Sequence, residues 1–100
     1  MDVAGLQAQI TATFGARDRA RGIDGTFRRL VEEVGEVAKA IRGADRETLA
    51  LELSDLVAWA VSVAAIAGVD LNAALVRYGG GCPRCGASPC RCPADYPAPD

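Results

Sequence analysis

The chain has 100 residues, half of them apolar and only five aromatic, with 11 basic against 13 acidic side chains and a pI near 5.0. A chain this short fits one domain and buries only ~60–65% of the surface it exposes when unfolded, so help from a partner subunit or a metal is expected. The net charge of -2 argues against a general nucleic-acid binder, which would carry a basic face for phosphates. Histidine is absent, which removes the commonest general base and zinc ligand and leaves the chemistry to carboxylates, basic residues and cysteines.

The opening MDVAGLQAQITATF lacks the basic start and apolar run of a secretory signal, so a cytoplasmic protein is expected. Leu6, Ile10 and Phe14 recur every four positions and predict a first helix from Val3 to about Ala16, capped by Asp2. Arg17 to Gly25, with three arginines and two glycines, reads as a connection, after which Asp24 or Thr26 is placed to cap the next helix. From Phe27 to Arg42 the apolar positions fall in one stripe at helical spacing. Gly43 is expected to end this second helix in a left-handed conformation, and Asp45 to cap a third from Arg46 to about Ala67. So short a link makes an antiparallel hairpin.

Beyond Thr48 the third helix is apolar on every side except for Glu52, Ser54, Asp55 and Ser62. Such a helix is normally buried all round, and one small protomer can hardly surround it; a homo-oligomer, dimer or tetramer, is therefore expected. The longest uncharged stretch, Leu56 to Val69, has 14 residues against the ~20 that span a bilayer, so no membrane partner is expected. Gly68 ends the helix, and Asp70 caps a short fourth from Leu71 to about Tyr78. The resulting class is all-α: an antiparallel bundle of about four helices over residues 1–78, completed by oligomerisation. A glycine hinge then leads to a cysteine-rich knuckle over 79–92 and a proline-rich tail, 93–100, expected to be disordered.

Two carboxylate pairs stand out: Glu33-x-x-Glu36 and Glu52-x-x-Asp55. The i, i+3 spacing puts each pair on one helix face. Glu36 and Glu52 each lie eight residues from Ala44, and Glu33 and Asp55 each eleven, so a turn there sets all four at matching heights. A single E-x-x-E on a surface helix usually means solvated charge or pairing with neighbours such as Arg29 and Lys39. Acids inside an apolar helix are harder to explain that way, because a buried carboxylate needs a compensating cation or changes its protonation state. Oxygen donors without histidine or thiolate suit a hard ion, Mg²⁺ or Mn²⁺.

Cys82-x-x-Cys85 and Cys90-x-Cys92 place four thiols within eleven residues. Two disulfides compete with a metal site; a reducing compartment favours zinc, and four sulfur ligands leave no open position, so its role would be structural. Pro83 and Gly86 suit the tight turn, and Arg84 and Arg91 are placed either to offset thiolate charge or to touch phosphate or a partner.

The segment FRRLVEEVGEVAKAIRG followed by LALELSDLVAWAVSVAAIAGVDL resembles the MazG-like all-alpha nucleoside triphosphate pyrophosphohydrolases, whose signature is E-x-x-E, a spacer, then E-x-x-D. The resemblance covers residues 18–78 and implies hydrolysis of a (d)NTP between the α and β phosphates. It carries Glu33, Glu36, Glu52 and Asp55 over as Mg²⁺ ligands, with Glu32 beside them to orient the attacking water or act as base. Arg77 lies where family members often place a phosphate-binding lysine. Further phosphate candidates are Arg17, Arg21, Arg28 and Lys39, and Trp59, one turn after Asp55, is a candidate wall for the base. A non-enzymatic zinc-bearing adaptor and a narrower dUTP or phosphoribosyl-nucleotide hydrolase are the competing readings; nothing in the sequence selects the base.

Overall fold

Asp2 opens the first helix with its side chain. Its Oδ1 accepts from the Gly5 amide at 2.7 Å, satisfying one of the four donors that a helix start leaves without a partner. In the computed structural model, which describes residues 1–94, this helix, α1, runs Val3–Gly43. Gly22 alone interrupts it, at φ +85° and ψ 168°, a backbone state that side chains rarely adopt and glycine tolerates. Two helical arms therefore meet at a kink.

The connection expected over 17–25 is thus helical on either side of Gly22, and among the described residues three α-helices replace the expected four. Asp18 and Arg21 pair one turn apart at 2.9 Å, and Arg21 Nη1 reaches past the kink to donate to Thr26 Oγ1 at 3.1 Å. Residues whose composition suggests a loop are in this way tied into helix. Thr26 does not cap the second arm: it is fully buried and its hydroxyl accepts from Arg21, while Asp24 forms no cap bond among the described residues.

At the hairpin turn it is Ala44, not Gly43, that takes the left-handed conformation, at φ 55° and ψ 29°. Gly43 completes the last helical turn. Asp45 then caps α2, Arg46–Ala67, as expected, accepting from the Glu47 amide at 3.1 Å, the Thr48 amide at 3.4 Å and the Thr48 hydroxyl at 2.8 Å. These donors, the Thr48 hydroxyl foremost, hold the Asp45 carboxyl below its ordinary range. Gly68 closes α2, and Asp70 accepts from the Ala73 amide to start α3, Leu71–Leu75, which tightens into a 3-10 turn over Val76–Tyr78. Gln7 clamps that corner onto α1: its Nε2 donates to the Val69 carbonyl at 2.7 Å and its Oε1 accepts from the Leu71 amide at 3.0 Å.

α1 and α2 pack as the hairpin that forms most of the fold. Their shared core contains Ile10, Ala40, Val61 and Ala64, and beside them three polar side chains, Asp18, Thr26 and Ser62. One protomer does not surround α2. Leu51 is 66% exposed and Leu53 and Val57 are open, as are Phe27, Val31, Val34 and Ile41 on α1. By length and composition alone α2 is apolar enough to cross a membrane, with a mean hydropathy of 1.8. The expected disordered tail lies, from residue 95 on, outside the described residues.

Candidate active site

The hairpin register brings carboxylates from both helices together. Glu33 on α1 and Glu52 and Asp55 on α2 each offer an oxygen within 4.8 Å of the others. The hydrogen bond between Glu33 and Glu52, then burial, then the charges of Glu52, Asp55 and Glu36 push the Glu33 carboxyl up to about 7. Near neutral pH the group therefore retains a proton part of the time, which is what a carboxylate cluster does when nothing else offsets its repulsion. A divalent cation would displace that proton, and an all-oxygen donor set suits a hard one.

Glu36 stands outside this trio. Its Oε2 lies 4.0 Å from Lys39 Nζ, so Lys39 is occupied by that pair, yet Glu36 stays near enough to add to the field on Glu33. Glu32 accepts from Arg29 at 3.4 Å on the exposed side of the helix. Arg28 lines a 310 Å³ rim cavity with Arg21, Arg29 and Glu32. The Arg77 guanidinium lies over the Tyr78 ring, 5.5 Å from its centroid, and no interaction among the described residues ties it to the carboxylates.

Beside the trio lies a second cavity, of 210 Å³, with Phe14, Asp18, Arg21, Trp59 and Ser62 in its wall. Asp55 borders both. The Arg21 guanidinium sits 5.0 Å from the Trp59 ring centroid, so Trp59 belongs to this wall rather than to a purely apolar core. Asp18 and Ser62 line this cavity, although neither stands out in the sequence as a candidate for the site. Once 17–25 is taken as helical, the spacing of Asp18 and Arg21 is the signal that would have found the first. A wider cavity of 360 Å³, near Gln7, Thr11 and Arg19, contains none of the four carboxylates.

The cysteines form a separate centre. The Cys82 amide donates to the Ala87 carbonyl at 2.9 Å and the Gly86 amide to the Cys82 carbonyl at 2.7 Å, folding 82–87 into a tight turn with Gly86 at φ +76°. Cys82 and Cys92 sulfurs are 3.9 Å apart, as are those of Cys85 and Cys90, and all four lie within 4.8 Å of one another as free thiols. Zinc–sulfur bonds of ~2.3 Å in a tetrahedron require sulfur separations of about 3.8 Å, so the group has the size of a metal site and not of two disulfides. Backbone amides, that of Arg91 foremost and then that of Ala87, bring the Cys85 thiol down to about 6, and those of Cys85 and Arg84 lower Cys82. Cys92 is pushed up to about 12, chiefly by its contact with Cys90, and a dication among the sulfurs would reverse that.

The MazG nucleotide pyrophosphohydrolase domain model matches residues 21–78, the span that contains the carboxylate hairpin. The chain is also 36% identical over 73 residues to a dATP/dGTP diphosphohydrolase of Cyanophage S-2L, a match covering 73% of this chain and 66% of that protein. It spans just under two thirds of that relative's length. A hairpin carrying E-x-x-E and E-x-x-D, three of whose acids converge on one point, is thus matched across more than half of the chain: the protein belongs to the MazG nucleotide pyrophosphohydrolase domain family.

Proposed function

We propose that the protein is a Mg²⁺-dependent nucleotide pyrophosphohydrolase that converts a (d)NTP to the monophosphate and pyrophosphate. The observation that carries this is the convergence of Glu33 with Glu52 and Asp55 of the strongly apolar α2, with Glu33 raised to about 7. These three would hold the ion, and Glu36, one turn from Glu33, completes the set as a ligand or by its charge. Bound there, Mg²⁺ or Mn²⁺ supplies neutralisation of the triphosphate and a more acidic water. The chain's own groups do the rest. Glu32, steadied by Arg29, takes the proton of the water whose oxygen bonds to the α-phosphorus as the bond to the bridging oxygen breaks and pyrophosphate leaves. Arg28 meets the departing phosphates from the rim cavity; Lys39 and Arg77 are further from this task, one paired with Glu36 and the other over Tyr78. The nucleoside end enters the cavity walled by Trp59. The Cyanophage S-2L relative, described as acting on dATP and dGTP, favours purine substrates.

The thiolates of Cys82, Cys85, Cys90 and Cys92 bind one structural Zn²⁺, for which the separations of their sulfurs argue. The open apolar residues on α1 and α2 pair with a second copy of the chain, giving a cytoplasmic homo-oligomer with no nucleic-acid or membrane partner. Glu52 and Asp55, midway along α2, favour this over a membrane span, where unpaired acids are costly.

Pyrophosphate release from a panel of NTPs and dNTPs with Mg²⁺ tests the reaction. Turnover that a chelator abolishes is expected; no release from any nucleotide would refute it. Light scattering that finds a monomer would refute the oligomer.

A further inference from the structure

The most deeply buried charged side chain lies outside the metal trio. Asp18 is 3% exposed, deep in a protein with a small core, and it lines the cavity that Asp55 shares with the carboxylates. A buried carboxylate is expensive unless it is paired. Arg21 supplies the pair through Oδ1 alone, at 2.9 Å. No described residue bonds Oδ2, and among the described residues no side-chain polar atom is both sealed and without a partner, so Oδ2 keeps some access; Asp18 lines this cavity and also the 360 Å³ one near Gln7. A carboxylate has about four lone-pair sites and no proton to donate, so Asp18 is a charged acceptor held ready for donors on a ligand.

The cavity decides how much of a nucleotide such an acceptor meets. At 210 Å³ it is smaller than the ~300–1,000 Å³ pockets that enclose a whole drug-sized ligand, so it takes the base, leaving the phosphates at the carboxylates past Asp55. Phe14 and Trp59 give flat apolar walls, and Arg21 is locked between Asp18, Thr26 and the Trp59 ring. The acceptor is thereby fixed in place rather than mobile on a surface.

We infer that Asp18 reads the base and selects guanine nucleotides. Among the standard bases only guanine presents two adjacent donors, N1–H and the N2 amine, on its pairing edge. Adenine and cytosine set a lone pair beside their amine, and uracil and thymine flank one N–H with two carbonyls, so each of these turns an acceptor toward the carboxylate. Rejection of an unmatched edge is stronger than preference between apolar groups, because the mismatch sets an acceptor against the carboxylate and leaves its second oxygen without a donor. This inference rests on the nucleotide reading of the site and deepens it.

The test is kcat/KM of the full chain with Mg²⁺ for dGTP, dATP, dCTP, dTTP and dITP, which lacks only the N2 amine. The wild type is expected to favour dGTP over dITP by about tenfold or more and over dATP by a larger factor. Asp18→Asn keeps an oxygen for Arg21 but offers an amide to the base, which suits the donor–acceptor edge of adenine. Its dGTP-to-dATP ratio is expected to fall by about thirtyfold or more. A variant that loses all nucleotides equally would make Asp18 a purely structural residue and overturn the inference. If the variant does not fold, the wild-type dGTP-to-dITP ratio decides, and a ratio near one overturns it. Binding of dGMP against dAMP, read by calorimetry, separates the two failures. Turnover with no guanine preference sinks base reading alone, whereas guanine-selective binding without turnover sinks the reaction and leaves Asp18 its role.

Discussion

The protein gathers negative charge at two places, and it builds them in opposite ways. Glu33, Glu52 and Asp55 are carried by two long helices whose backbones bond internally, so their positions follow from hairpin register. Cys82, Cys85, Cys90 and Cys92 sit in a segment with no helix or strand, shaped by a tight turn and by amides that donate to sulfur, Arg91 to Cys85 and Cys92 to Cys90 at 3.3 Å each. Three or four oxygens on a hard ion leave room for water and phosphate; four sulfurs on zinc leave none. On the proposed function, the helices would carry the chemistry and the knuckle would stabilise the fold.

The largest expected effect breaks the first half of that contrast. Asp55→Asn should lower turnover by about 10³-fold or more, since it removes a charge from the cation site. Thermal melting of the metal-free variant should be no lower than wild type, because one repulsive charge is gone. Next, Cys85→Ser should bring bound zinc from about one per chain to none by metal analysis, with turnover changed less than tenfold. A collapse of activity on zinc loss would show that the knuckle serves the active site.

A smaller effect concerns pH. Glu33 is raised above its ordinary 4.5, so the folded state holds a proton that the unfolded chain has released. In metal-free protein its contribution to stability is full below pH 4.5 and is lost as pH rises through about 7. Mg²⁺ must displace that proton, so its affinity should climb by up to about tenfold per pH unit up to about 7 and level off above. Titration calorimetry at several pH values checks this; a flat profile would mean that Glu33 is not a ligand. The least effect is at the turn, where Ala44→Gly should raise stability by about 1 kcal/mol by relieving a left-handed alanine, as urea unfolding would reveal.

Much of the carboxylate half was legible in the sequence. The Glu33 to Asp55 spacing works because a helix rises by a fixed amount per residue and Asp45 announces where the second helix starts. The caps at Asp2, Asp45 and Asp70 were legible for the same local reason. Residues 17–25 were not. Their arginines and glycines match a loop by composition, whereas their helical state depends on Asp18, Arg21 and Thr26 bonding to each other around Gly22. Gly43 misled for a related reason: glycine is the usual left-handed residue, but the register of the Asp45 cap puts that conformation one position later, on Ala44. Local rules thus located the carboxylate cluster, and the cavity beside it emerged only with the kink.

The most direct test of the central claim, that the hairpin carboxylates are a cation-dependent active site, is pyrophosphate release from dGTP titrated with Mg²⁺ in wild type and Asp55→Asn. The expected result is a saturating rise in the wild type from a negligible metal-free rate, and almost none in the variant. Equal curves, or full turnover without a divalent ion, would contradict it.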